Sequence, residues 1–281
     1  MLSRLWEEDE VAPELARLYG DIRSSFDLPF VPSLFKQLAA IPHYLQGMWN
    51  DLGPVVRSRE FQTADRALEE FTRSLAIAGG WRFSDQQRVL AGQKFSNNNI
   101  EQLSAIAAIF TRAATRMGLF ARLLQKGYSG GQPGRISSGR QAPALARMIT
   151  VHVPRESDAS LRVWLIYSDI RRTLGVKNVP SSLRVLSPFP AYLASVWLDT
   201  KKVMADPAFL RARDDVAKRA LGLLVGIPVK DHRALARQLD PKQWREIEEA
   251  VDAFARLSPQ RLLALAIWQR SFAVAGRIAA A

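Results

Sequence analysis

Residues 18–61 read LYGDIRSSFDLPFVPSLFKQLAAIPHYLQGMWNDLGPVVRSREF, and residues 166–209 read IYSDIRRTLGVKNVPSSLRVLSPFPAYLASVWLDTKKVMADPAF. At a constant offset of 148, with no gap, fifteen of the 44 positions are identical, among them Tyr19, Asp21, Val31, Pro32, Ser33, Pro42, Tyr44, Trp49 and Phe61 with their partners. A repeat of this density sets the architecture before any single helix is placed. Working outward, residues 100–125 resemble residues 244–269, pairing Phe110 with Phe254, Arg112 with Arg256, Leu119 with Leu263 and Gln125 with Gln269 at an offset of 144. Between the copies lies KGYSGGQPGRISSGRQAP from Lys126, whose Gly, Ser and Pro content is that of a flexible connection. The sequence therefore divides into a first repeat over 1–126, a linker over 127–143 and a second repeat over 144–281. Two copies in one chain most simply mimic a symmetric dimer, so a pseudo-two-fold arrangement is expected.

Both copies read as helical. Ala67, Leu68, Phe71, Leu75 and Ala78 follow the spacing of an amphipathic helix, which Gly79-Gly80 should end. Leu103, Ile106, Ala107, Phe110 and Ala114 trace a second helix face behind Ser96–Asn99, side chains suited to an N-cap. Only Val151–Val153 hints at a strand. The fold class is all-α, with five or six helices per copy. Pro32 and Pro180 suit the first turn of a helix, where a missing N–H costs nothing. Trp49, Trp197, Tyr44 and Tyr192 fit core packing.

The chain has 281 residues, nearly half of them apolar, and no cysteine. It can bury a sizeable core and cannot use a disulfide, a thiolate metal site or a cysteine nucleophile. An acidic N-terminus and no long apolar run predict a soluble, cytoplasmic protein without a membrane span. The net charge of +12 favours anions, and residues 102–155 contain no acid while holding Arg112, Arg116, Arg122, Lys126, Arg135, Arg140, Arg147 and Arg155. Nucleic acid is disfavoured as a partner because no recognition motif accompanies the charge.

Asp21 and Asp169 are a repeated carboxylate pair, read first as ion pairs or caps with Arg23 and Arg171 and second as acid–base groups. His43, His152 and His232 lie far apart without metal-ligand spacing, so no metal is expected. No phosphate or dinucleotide fingerprint occurs, and no cofactor is expected.

The stretches from Asp21, from Ser168 and from Leu239 (LDPKQWREIEEAVDAFARL) resemble the group I 2-haloacid dehalogenases, the DehI family. The resemblance covers most of the chain and its two-copy layout. It implies an all-α pseudo-dimer that hydrolyses the C2–halogen bond of short 2-haloalkanoic acids by direct attack of water, with a small anionic substrate and no cofactor. Carried over by position, it places the halide side at Phe30 and Ser33, an active-site serine at Ser181, the general base at Ser182, the water-positioning group at Thr111 and a tyrosine position at Phe254. Serine is not a base unless another group activates it. Either another carboxylate (Asp21, Asp169 or Glu69) serves, or the protein binds a small carboxylate without turning it over. Pairing of two such chains into a homodimer is left open.

Overall fold

Pro13 opens the first helix at the position where its missing N–H is harmless, and Asp27, in the left-handed region at φ 50°, closes it. The computed structural model describes residues 2, 4–132, 134–137 and 150–273. In the first half of the chain it gives α1 (Pro13–Phe26), α2 (Ser33–Leu38), α3 (Pro42–Arg57), α4 (Arg59–Ala78), α5 (Gln86–Gly92) and α6 (Asn97–Tyr128). After a 3-10 turn at Glu156–Asp158 come α7 (Leu161–Leu174), α8 (Ser181–Arg184), α9 (Pro190–Met204), α10 (Pro207–Leu223), α11 (Arg233–Ala236) and α12 (Pro241–Ala273). Among the described residues no strand is present, and Val151–Val153 is irregular. No helix among them is long and apolar enough to cross a membrane.

Local chemistry explains the boundaries. Ser96 caps α6, its hydroxyl accepting the Asn99 N–H at 3.3 Å. Gly80, at φ 66°, ends the chain's exit from α4. Pro32 and Pro180 are the extended residues just before α2 and α8, one position earlier than the sequence suggests, whereas Pro42 and Pro190 do open α3 and α9.

The chain forms two compact units, each of three segments. The first comprises 1–68, 115–150 and 218–258; the second comprises 69–114, 151–217 and 259–281. Division by sequence similarity and division by compactness are thus different cuts: residues 69–114 pack with the second unit and 218–258 with the first. In the first unit, the Tyr44 and Tyr128 hydroxyls share a 2.6 Å hydrogen bond, Trp244 packs on both rings, and Lys230 donates to Asp51 at 2.6 Å. In the second, Trp81 Nε1 donates to Asp206 at 2.8 Å, the Ser84 N–H donates to Asp199 at 2.8 Å, and the Tyr192 hydroxyl donates to Gln86 at 2.7 Å. Trp49, Trp197, Tyr44 and Tyr192 are all buried, as core packing requires.

The Gly/Ser/Pro-rich stretch is less free than its composition suggests. Residues 133 and 138–143 of that linker lie outside the described residues, as do Arg140 and Arg147. The rest is pinned to the first unit: Gln132 and Val229 exchange backbone hydrogen bonds of 2.6 and 2.8 Å, and the Ser137 carbonyl accepts the Arg59 N–H. Gly131, at φ 68°, passes so close that a Cβ would stand 2.4 Å from the Val229 oxygen, so only glycine fits there.

Two cations of the basic stretch, Arg116 and Lys126, are spent internally. Arg116 donates to Asp65 at 2.8 Å and to the Phe26 carbonyl, and Lys126 donates to the Leu224 and Ile227 carbonyls at 3.1 and 2.7 Å. These two cations hold the first unit together.

Candidate active site

The second unit builds its polar centre from a short turn. Glu156 receives Arg171 Nη1 at 2.8 Å on one oxygen and the Val179 N–H at 2.7 Å on the other, which fixes the extended entry to Pro180. Pro180 then leads into α8, whose four residues are all buried. Ser181 is held, accepting a 3.3 Å hydrogen bond from Arg184, whose other arm reaches the Pro154 carbonyl at 3.2 Å. Ser182 is different: among the described residues its hydroxyl makes no hydrogen bond, although only 5% of the residue is exposed.

Ser182 opens onto a cavity of ≈ 40 Å³. That is about three times the ~10–15 Å³ that admits one water, enough for a molecule of a few heavy atoms. Its walls come from α7, α8, α9, the loop at Phe83 and the second half of α12. Trp197, Trp268, Leu183 and Ala264 supply apolar surface, and Thr200, Gln260, Ser182 and Arg261 are its polar groups. The Thr200 hydroxyl donates back to the Val196 carbonyl at 2.7 Å, and Gln260 Nε2 lies 3.3 Å from Met204 Sδ. Among the described residues no acid lines the cavity. Removal from water pulls the Arg261 guanidinium down to about 10.

The remaining sequence-derived positions distribute over both units. Thr111, buried on α6, belongs to the second and donates its hydroxyl to the Ala107 carbonyl at 2.9 Å. Phe30, buried, and Ser33 and Phe254, half-buried, belong to the first. Of the six positions only Ser182 lines the cavity. Arg261, Gln260, Thr200, Trp197 and Trp268 carry no signal that sequence spacing alone exposes, because they converge from separate helices; a lone arginine in the apolar run after Pro259 was the one clue.

The three candidate carboxylates fare differently. Asp169 is not paired with Arg171 as the sequence suggested, since Arg171 is taken by Glu156. It accepts instead from Lys201 at 2.7 Å, Trp197 Nε1 at 2.8 Å and Arg172 at 2.8 Å. The Lys201 hydrogen bond first, then those from Trp197 and Arg172, holds its carboxyl well below the usual carboxylate range. Asp21 likewise turns from Arg23, which pairs with Glu8, to Trp49 Nε1 at 2.6 Å and Arg57 at 3.2 Å. Both are structural ion pairs, with partners other than those expected. Glu69 stands half-buried on α4, and among the described residues no ion pair occupies it.

Known proteins align with this arrangement over most of its length. An (R)-2-haloacid dehalogenase of Pseudomonas putida is 24% identical over 270 residues, covering 88% of this chain and 85% of the relative. A configuration-inverting 2-haloacid dehalogenase of Alcaligenes xylosoxydans xylosoxydans is 29% identical over 106 residues, 38% of this chain and 36% of that protein. A complex of a D-2-haloacid dehalogenase mutant with D-2-CPA superposes with a TM-score of 0.82 at 22% identity, covering 95% of each chain, a likeness of fold. The family model described as halocarboxylic acid dehydrogenase DehI matches residues 29–183, the span that runs from Phe30 through Ser182. With more than half its length inside that model, the chain belongs to the DehI family.

Proposed function

We propose that the chain is a 2-haloacid dehalogenase that converts a short (R)-2-haloalkanoate and water into the 2-hydroxyalkanoate of inverted configuration, halide and a proton. The observation that carries this reading is the family match across residues 29–183, supported by the (R)-specific relative of nearly equal length. In a single displacement the water oxygen bonds to C2 from the face opposite the halogen while the carbon–halogen bond breaks, which inverts the centre. The inverting relative supports that course.

Water must lose its proton as it attacks, and Ser182 cannot take it. Asp169 is a poor acceptor because three donors already neutralise it, and Asp21 is bound to Trp49 and Arg57. Glu69, half-buried on α4, is the remaining carboxylate among the sequence candidates and by elimination is the one to test as base, with Ser182 and Thr111 as polar groups for water. The net positive charge draws in an anionic substrate and helps neither enantiomer over the other.

The two-copy reading belongs to the same proposal: a pseudo-two-fold pairs α1–α6 with α7–α12. Its support is the recurrence of matched details at the 148 offset, such as Trp49–Asp21 at 2.6 Å and Trp197–Asp169 at 2.8 Å.

Halide release from both enantiomers of 2-chloropropionate and 2-bromopropionate tests the reaction. The expected result is release from the (R) forms with (S)-lactate as product, a fall of about 100-fold or more in kcat for Glu69→Gln, and activity retained or raised in Ser182→Asp. No halide from any of the four substrates overturns the reading, and undiminished turnover by Glu69→Gln moves the base elsewhere.

A further inference from the structure

We infer that the outer face of α7 is a self-association surface, on which a second chain of the same protein packs its own α7 antiparallel across a two-fold axis near Leu165. The inference is independent of the reaction, since none of the residues it uses lines the cavity.

Helical spacing builds this face. Val163, Tyr167 and Ile170 are buried and turn one side of α7 inward. Leu161, Trp164 and Leu165, spaced as neighbours on a helix surface, share the opposite side and are 76, 50 and 58% exposed. Together they present roughly 400 Å² of mostly apolar surface, the size of patch that marks an interaction site. The fold does not demand these side chains. At the 148 offset the same positions of the first repeat are Pro13, Ala16 and Arg17, and exposed Leu198 on α9 corresponds to Asn50. Those four positions face water as well, yet none carries a large hydrophobic side chain.

Charge selects a second chain as the occupant. Asp158 and Arg172 each stand seven residues from Leu165, one before it and one after it, and both are exposed. Antiparallel pairing through Leu165 therefore brings Asp158 of each chain to Arg172 of the other, twice, as a two-fold contact requires. The same register sets the small side chain of Ser168 near Leu161 of the second chain, which lets the helices approach. Within its own chain Arg172 bonds Asp169 at 2.8 Å, a surface pair one turn apart that contributes little and leaves the guanidinium able to turn outward. Arg162, on the flank of the face, keeps its charge in water. The patch is about half of the ~800 Å² that each partner gives to a standard interface, so the pairing is weak and concentration-dependent.

Sedimentation velocity of the full chain in low salt, from about 1 to 200 µM, reads this association directly. Wild type should pass from monomer to dimer with its midpoint in the micromolar range. Trp164→Ala combined with Leu165→Arg, the residues of the first repeat, should remain monomeric throughout. Asp158→Arg and Arg172→Glu should each weaken the dimer about fivefold or more, and the two together should restore it to within about twofold of wild type. All four side chains are exposed, so each variant should keep the far-UV circular dichroism and melting temperature of wild type, which separates loss of association from loss of fold. A wild type that stays monomeric, a dimer indifferent to the Trp164 and Leu165 changes, or a double charge exchange no stronger than either single one overturns the proposal.

Discussion

In the first unit Phe26, Phe35, Trp49 and Phe120 form a closed aromatic cluster, with ring centroids between 5.0 and 6.2 Å apart; in the second, the paired positions hold Leu174, Leu183, Trp197 and Ala264, and there is a cavity. Three rings are lost and one tryptophan is kept. The kept tryptophan makes the same bond in both units, to Asp21 in one and Asp169 in the other. The two units can thus share matched residues while differing in side-chain volume: the first spends its interior on packing, the second leaves room and lines it with Arg261, Ser182 and Thr200. The trade is physical, since filled volume stabilises and empty volume binds.

The largest effect that tests this contrast is removal of the central ring of the filled copy. Phe120 is fully buried and touches all three partners of the cluster. Phe120→Ala, the residue found at the paired position, should cost about 3–5 kcal/mol in urea unfolding. A cost near zero would mean that the first unit closes over the gap as readily as the second keeps its own, and the contrast would collapse. The reverse change, Ala264→Phe, should leave stability within about 1–3 kcal/mol of wild type, because overpacking and cavity filling oppose each other.

This contrast also shows how far the sequence could be read. The helices were legible because each boundary is local: Ser96 before α6, Gly79-Gly80 after α4, and the prolines that open α3 and α9 all act within one turn. Family membership was legible through the spread of matches from Asp21 to Tyr192. The two compact units were not, because residues 69–114 fall in the first repeat and 218–258 in the second by chain position, yet each is grouped with the other unit, and similarity carries no information about partners. The ion pairs were right in kind and wrong in partner: Arg23 and Arg171 lie two residues from the aspartates, which puts them on a different face of the helix, and they reach Glu8 and Glu156 instead. The cavity was invisible for a stronger reason. It is made by what is missing, the rings absent at Leu174, Leu183 and Ala264, and an absence is seen only against a filled counterpart.

A second effect, of intermediate size, concerns the cation in the open copy. Arg261 has an interaction partner within the fold, and removing a buried charge that is partnered destabilises. Arg261→Met, the residue of the first copy, is therefore expected to lower the melting temperature by about 4–8 °C, or roughly 2 kcal/mol. A variant that melts at or above wild type would show that the guanidinium contributes nothing to the fold.

The smallest effect separates the two tryptophan–aspartate pairs. Asp169 has three donors and a side chain 26% exposed, whereas Asp21 has Trp49 and Arg57 and is 53% exposed. Asp169→Asn should accordingly destabilise more than Asp21→Asn, and both losses should shrink in high salt because exposed pairs are screened. Acid separates charge from shape. The folded-state pKa of Asp169 lies below that of the unfolded chain, so its contribution is fully present above about pH 4, the ordinary aspartate range, and is lost as pH falls through that range towards the folded value. The stability gap between wild type and Asp169→Asn should therefore stay constant from pH 8 to pH 5 and narrow below pH 4 in parallel urea titrations. A gap that persists undiminished in acid would assign the contribution of Asp169 to the shape and hydrogen bonding of its side chain, with no part played by its charge.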